Sequence, residues 1–207
     1  MIDSLFGRPG TRPATVLDTL ARALVGLGVR ANVLSSIGLV LGLLSAALFF
    51  VDRGWWALVA LLASGLVDAV DGRVARLGPG PTPWGGVLDL TFDRIVEAAV
   101  LLGIAVPKPA WHLPALVVAC TWYVNLCVFL AVGAASAKHS EKVIAYPPGL
   151  LERTESLIPA FIVVAAPGLG PTVLYLYAAL EVITGAQRFR HGRRTLAPAA
   201  RGAKLGS

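Results

Sequence analysis

The sequence predicts an all-α integral membrane protein: six transmembrane helices preceded by a short amphipathic helix lying on the membrane interface. Three observations predict it. First, hydrophobic residues make up 56% of the 207 positions and charged ones only 14%, where an ordinary soluble domain carries about 25% charge. Second, long apolar runs alternate with short breaks rich in Gly, Pro and charge, and a bilayer asks for about 20 apolar residues per helix. Third, Lys and Arg collect on one set of breaks. The length suits one domain, residues 1–194, with a disordered polar tail over 195–207. The net charge of +6 does not point to nucleic acid, because the basic residues sit among apolar runs, where a membrane surface explains them. Cys120 and Cys127 fall in one such run and are expected to be buried and unpaired. Met1 to Gly10 is polar and mixed, so no cleavable signal peptide is predicted.

Residues 13–29 space their apolar side chains as a helix does, around Asp18 and Arg22, which predicts the interfacial helix. The first span covers 31–51, with Asn32 at its start placed to cap the helix or to reach the aspartate site, capping being the expected role. Asp52-Arg53-Gly54 is a turn, and Trp55-Trp56 anchors a second span over 55–77. Gly78, Pro79, Gly80, Pro81 and Pro83 break that helix. The third span, 86–106, follows, and Pro107-Lys108-Pro109 turns the chain into a fourth over 110–134. His112, alone at an interface, is given no catalytic role. The longest polar break, 136–153, carries Lys138, His139, Lys142 and Arg153. Spans over 154–167 and 172–186 complete the six, and Gln187 to Arg194 forms a basic end.

With six spans, both termini and the 2–3 and 4–5 connections share one side. That side holds fifteen Lys and Arg, against Arg53 and Lys108 on the other. The bias predicts a cytoplasmic location for that side, within the cell membrane.

The chemistry concentrates between positions 68 and 93. Asp68 and Asp71 are three apart and Asp89 and Asp93 four apart, so each pair shares one face of its own helix. Carboxylates in an apolar helix are costly and mark an ion or substrate site. Four that could converge call for a cation, and hard oxygen donors without nearby sulfur or imidazole suit Mg²⁺, Mn²⁺ or Ca²⁺ rather than zinc. Gly72 would let a ligand approach the helix backbone, Ala75 keeps the next turn small, and Arg76 offers a fork suited to phosphate. Gly85 would let the third span pack closely. Glu97 continues the acidic stripe one turn deeper, either supporting the site or pairing with a base, and Arg94 is expected to point away from it. The bland reading, solvated acids at two helix ends bridged by Arg73 and Arg76, requires no such spacing.

These positions read D-x2-D-G-x2-A-R-x8-G-x3-D-x3-D, through Asp68, Asp71, Gly72, Ala75, Arg76, Gly85, Asp89 and Asp93. The pattern resembles the signature of the CDP-alcohol phosphatidyltransferases at every fixed position. The resemblance implies an enzyme that moves a phosphatidyl group from a CDP-activated lipid to an alcohol and releases CMP. It implies Mg²⁺ or Mn²⁺ as cofactor, and two ions suit four carboxylates better than one. Asp68, Asp71 and Asp89 would be metal ligands, and Asp93 the general base, touching a second metal. Gly72, Ala75 and Arg76, with Arg73 and Thr82, would contact the CDP group. A phosphorylated acceptor such as inositol phosphate or glycerol 3-phosphate would want cations near the metals, and Lys138, Lys142, Arg153 and Arg188 are available. A neutral acceptor such as serine or glycerol would leave them as membrane anchors. Relatives are commonly homodimers, so a homodimer among membrane lipids is expected.

Two readings of other classes are weaker. A cation transporter would want polar groups through the membrane depth, and only Glu97, Asn125 and Glu181 could add to the four aspartates. A catalytically silent relative would not require the complete motif.

Overall fold

The computed structural model describes residues 12–137 and 157–196, and these are helical with short connections. The helices are α1 (Arg12–Gly26), α2 (Ala31–Phe50), α3 (Gly54–Leu77), α4 (Pro83–Ala105), α5 (His112–Ala137), α6 (Leu157–Ala165) and α7 (Gly170–Leu196). Three stretches are long and apolar enough to cross a membrane: Ala31–Phe50, Pro109–Ser136 and Pro167–Leu196. The expected count of six is not reached by that measure. Helices α3 and α4, at 24 and 23 residues, are long enough, but their acidic and basic side chains lower their hydropathy. The nine described residues of α6 rise only about 14 Å, less than half of a bilayer's hydrocarbon core.

Contacts divide the chain into two compact units, Met1–Leu116 with Glu152–Leu174, and Val117–Leu151 with Tyr175–Ser207. The first unit is built on α2, which lies against both α3 and α4, while α1 lies against α3. Small residues on α2 and α4 permit this. A Cβ on Gly42 would overlap the Val96 side chain, and one on Gly103 would run into the Ala46 carbonyl. Close approach brings hydroxyls within reach of the neighbouring backbone. Ser45 donates to the Ala57 carbonyl at 2.8 Å and Ser64 to that of Gly38 at 2.7 Å. Small residues and hydroxyl bonds hold helices together where lipid removes the hydrophobic driving force.

Helix α1 ends three residues earlier than expected, because Gly28 takes a φ of 75° and Gly28 and Val29 donate back to the Val25 and Leu24 carbonyls. Its apolar face is not given over to lipid alone. Leu17 and Ala21 are buried against Leu34, Val70 and Val74, although Val16 and Leu20 remain exposed. Asn32 does not cap α2: the N-cap position is Arg30, without a side-chain cap bond.

Within the second unit, Trp122 meets Tyr177 edge-on at 6.1 Å and Val118 and Thr184 are fully buried. Helix α7 continues through the expected basic end to Leu196, so residues 187–196 are helix rather than a break and the start of a tail. Cys120 and Cys127 are free as expected but exposed rather than buried, since they lie on a side of α5 that no helix among the described residues covers.

Candidate active site

The end of α3 and the start of α4 face one another because the break between them is short and shaped by glycine. Gly78 ends α3 by donating to the Val74 carbonyl, and Gly80 donates to that of Ala75 with a φ of 101°, a value only glycine adopts freely. Thr82 then starts α4: its hydroxyl accepts from the Gly85 amide at 3.0 Å, and Pro83 fills the first turn, where no amide hydrogen is needed. The N-terminal residue of α4 is thus Pro83, three before the expected start of the span.

This turn brings Asp68 and Asp71 of α3 together with Asp89 of α4. One carboxylate oxygen from each lies within 4.8 Å of the other two. Asp71 is buried at 6% exposure, Asp68 is half-buried and Asp89 is exposed. At an effective dielectric of about 20, two full charges at that separation repel by roughly 3 kcal/mol before solvent screening. A divalent cation reverses the sign of that term. The donors are hard oxygens, and no thiolate or imidazole joins the cluster among the described residues, so the set fits Mg²⁺ or Mn²⁺. Asp93, one turn along α4 and half-buried, is not part of the three-oxygen group.

Sequence reading missed the residue that orients Asp71. The Ser35 hydroxyl on α2 donates to Asp71 Oδ2 at 2.7 Å, and it also lies 3.2 Å from the Ala31 carbonyl. A bond of this kind settles which oxygen of a carboxylate remains for a ligand. Asn32, one turn earlier, places its Oδ1 3.7 Å from where a Cβ on Gly85 would stand. The only signal in the sequence was a polar start to an otherwise apolar span.

The arginines divide. Arg73 Nε donates to Asp18 on α1 at 3.0 Å, and Arg73 Nη1 to the Ala69 carbonyl at 2.7 Å. Its side chain is 13% exposed, so its guanidinium ties α1 to α3, a role the expected nucleotide contact did not include. Arg76 is exposed and its Nη1 would lie 3.5 Å from a Cβ on Gly72; the missing side chain gives that guanidinium room to lie along the helix. Thr82 is occupied as the cap. Arg94 does not point away from the acidic stripe: it forks onto Glu97, with Nη2 donating to Oε1 at 2.7 Å.

Of the expected acceptor cations, Lys138, Lys142 and Arg153 lie outside the described residues. Arg188, on α7 in the second unit, donates through Nη1 to Asn125 Oδ1 at 2.8 Å and stands 5.5 Å over the Phe129 ring.

The sequence model of the CDP-alcohol phosphatidyltransferase family matches residues 29–184. The archaetidylinositol phosphate synthase of Pyrococcus horikoshii is 30% identical over 183 residues, covering 87% of this chain and 92% of that protein. The phosphatidylinositol phosphate synthase of Corynebacterium glutamicum is 30% identical over 200 residues, covering 89% of this chain and 87% of that one. The fold resembles that of the phosphatidylinositol phosphate synthase of Mycobacterium tuberculosis, solved with CDP-DAG bound. The TM-score is 0.72 at 24% identity, covering 86% of this chain and 94% of that one. A second structure of that protein, in complex with manganese and citrate, gives a TM-score of 0.71 at 24% identity over 85% and 88% of the two chains.

Proposed function

This chain belongs to the CDP-alcohol phosphatidyltransferase family and is an enzyme of that class; we propose that it transfers a phosphatidyl group from CDP-diacylglycerol to an inositol phosphate, releasing CMP. The observation that carries the reaction is the convergence of Asp68, Asp71 and Asp89 within the complete motif. The acceptor is favoured by the two relatives named above, both inositol phosphate lipid synthases by name.

Asp68, Asp71 and Asp89 would hold the divalent metal, Mg²⁺ or Mn²⁺, and Asp93 would contribute to a second ion. When bound, the metal neutralises charge on the attacked phosphoryl group and on the departing CMP. Ser35 keeps Asp71 in a fixed orientation. Asp93 takes the proton from the acceptor hydroxyl as its oxygen bonds to the phosphorus next to the diacylglycerol, and the bond from that phosphorus to the oxygen of CMP breaks. Gly72, Ala75 and Arg76 line the place of the nucleotide, Arg76 pairing with phosphate. Arg188, with Lys138, Lys142 and Arg153, would hold the phosphate of the acceptor. The distribution of Lys and Arg supports six spans with the site and both termini on the cytoplasmic side of the cell membrane, with α1 at the interface. The family likeness supports a homodimer.

The test is CMP release by purified protein with Mg²⁺ or Mn²⁺ and CDP-diacylglycerol, offered inositol phosphate, glycerol 3-phosphate, serine and glycerol in parallel. Release with inositol phosphate alone is expected. Release with serine or glycerol at equal efficiency would replace the acceptor assignment with a neutral alcohol. Because one relative is named for an archaetidyl lipid, the CDP-activated archaetidyl donor belongs in the same panel.

A further inference from the structure

The second unit carries three polar side chains in a chain of bonds, beside the buried Thr184 hydroxyl, which donates to the Leu180 carbonyl of its own helix. Asn125 is 6% exposed and Glu181 7%. The Asn125 amide is directional and used at both ends: Nδ2 donates to Glu181 Oε2 at 2.6 Å, while Oδ1 accepts from Arg188 Nη1 at 2.8 Å. Rotating the amide by half a turn would aim its oxygen at the carboxylate and its NH₂ at the guanidinium, losing both bonds. The orientation is therefore locked by a charge on each side. Phe129, one turn beyond Asn125 on α5, presents its ring to the same guanidinium at 5.5 Å. One edge of the fork is tied by the amide and one face rests on the ring, which together set the plane of the Arg188 guanidinium.

Burying a carboxylate and an amide in an apolar helix pair is costly unless they are hydrogen-bonded, and such groups in membrane-depth helices mark functional sites. Joining two helices would need only the Asn125–Glu181 bond. The further link to Arg188 does something else: it holds a planar, five-donor group still, which is the condition for bidentate recognition of a phosphate. Glu181 and Arg188 are seven residues apart on α7, two turns along one face, and Asn125 bridges them from the neighbouring helix. We infer that Asn125 and Glu181 are positioning residues, which hold the Arg188 guanidinium in the plane that receives the acceptor's phosphate. The inference rests on the proposed role of Arg188 in acceptor binding.

The experiment measures KM for inositol phosphate and KM for CDP-diacylglycerol separately, from CMP release by the purified full chain. The variants are Asn125→Leu, Glu181→Gln and Arg188→Ala. A hydrogen bond to a charged group supports an expected rise of about tenfold in the acceptor KM for Asn125→Leu, with the donor KM unchanged. Glu181→Gln keeps an oxygen for the amide and loses the charge, so a smaller rise in the same constant is expected, and this variant carries the test if Asn125→Leu does not fold. If Arg188→Ala raises the acceptor KM while neither other variant does, the positioning role is wrong and the acceptor role of Arg188 stands. If Arg188→Ala leaves that KM unchanged, both fall. Equal changes in the two KM values would make the network a structural tie and overturn the inference.

Discussion

In the first unit, three acidic side chains converge, with oxygens of Asp68, Asp71 and Asp89 within 4.8 Å of one another. In the second, unlike groups alternate: the Glu181 carboxylate, the Asn125 amide and the Arg188 guanidinium follow in line. Both arrangements place acids in helices of an apolar chain, the first on two consecutive helices and the second on helices whose paired residues stand 56 apart in sequence. They differ in what completes them. Like charges brought together repel, so the first arrangement gains from a bound cation and is shaped for one. Alternating groups attract along the line, so the second holds together from its own residues. A site that must receive something carries an electrostatic debt, while a site that must hold something still carries a closed network.

The comparison is tested most severely by removing the cation. Chelation should abolish CMP release, and Mg²⁺ or Mn²⁺ should restore it; activity that persists in excess chelator would leave the three-carboxylate cluster without its proposed purpose. Next in size, Asp93→Asn should retain metal and CDP-lipid binding but lose about a hundredfold or more in turnover, measured by single-turnover CMP release beside a binding titration. Near-normal turnover would remove Asp93 from the mechanism. Ser35→Ala should shift the metal concentration needed for half activity upward by about tenfold, the usual effect of losing a partner that orients a ligand, and an unshifted titration would reduce the Ser35 bond to helix packing.

Stability sharpens the contrast because the signs should oppose. In chelator, Asp68→Asn relieves repulsion and should raise stability by about 1 kcal/mol, after discounting for its partial exposure. Glu181→Leu breaks a buried network and should lower stability by about 3 kcal/mol. Thermal melts of the two variants moving in the same direction would show that the two regions are not electrostatic opposites. The smallest effect concerns the turn between α3 and α4. Thr82→Ala should lose about 1 kcal/mol as a cap, and Thr82→Asp should recover it. A rise in the CDP-lipid KM for Thr82→Asp, despite recovered stability, would return Thr82 to the nucleotide site.

The acidic motif was legible because its information is local. Pairs three and four apart share a helix face whatever the helix packs against, and a Gly/Pro break of fixed length sets how the two faces meet. The helical character and most boundaries were legible for the same reason, from periodicity and breakers. The errors follow from the same limit. Asn32 looked like a cap and Arg94 like an outward base, because each has more than one partner within reach of its helix. Cys120 and Cys127 looked buried because an apolar run does not say which side a neighbouring helix covers.

By itself the sequence determined an all-helical, lipid-compatible chain, the break at Gly78 to Pro83, and two pairs of carboxylates whose hard oxygens ask for a divalent ion. Tertiary structure alone decided that Ser35 orients Asp71 across 36 residues of chain, that Arg73 answers Asp18 across 55, and that Asn125 joins Glu181 across 56. The physical reason is that a helix's own period fixes which residues share a face, whereas a bond between helices depends on their rotation and separation. Here Gly42 and Gly103 set that separation in the first unit, by allowing α2 and α4 to approach until a single Cβ would clash.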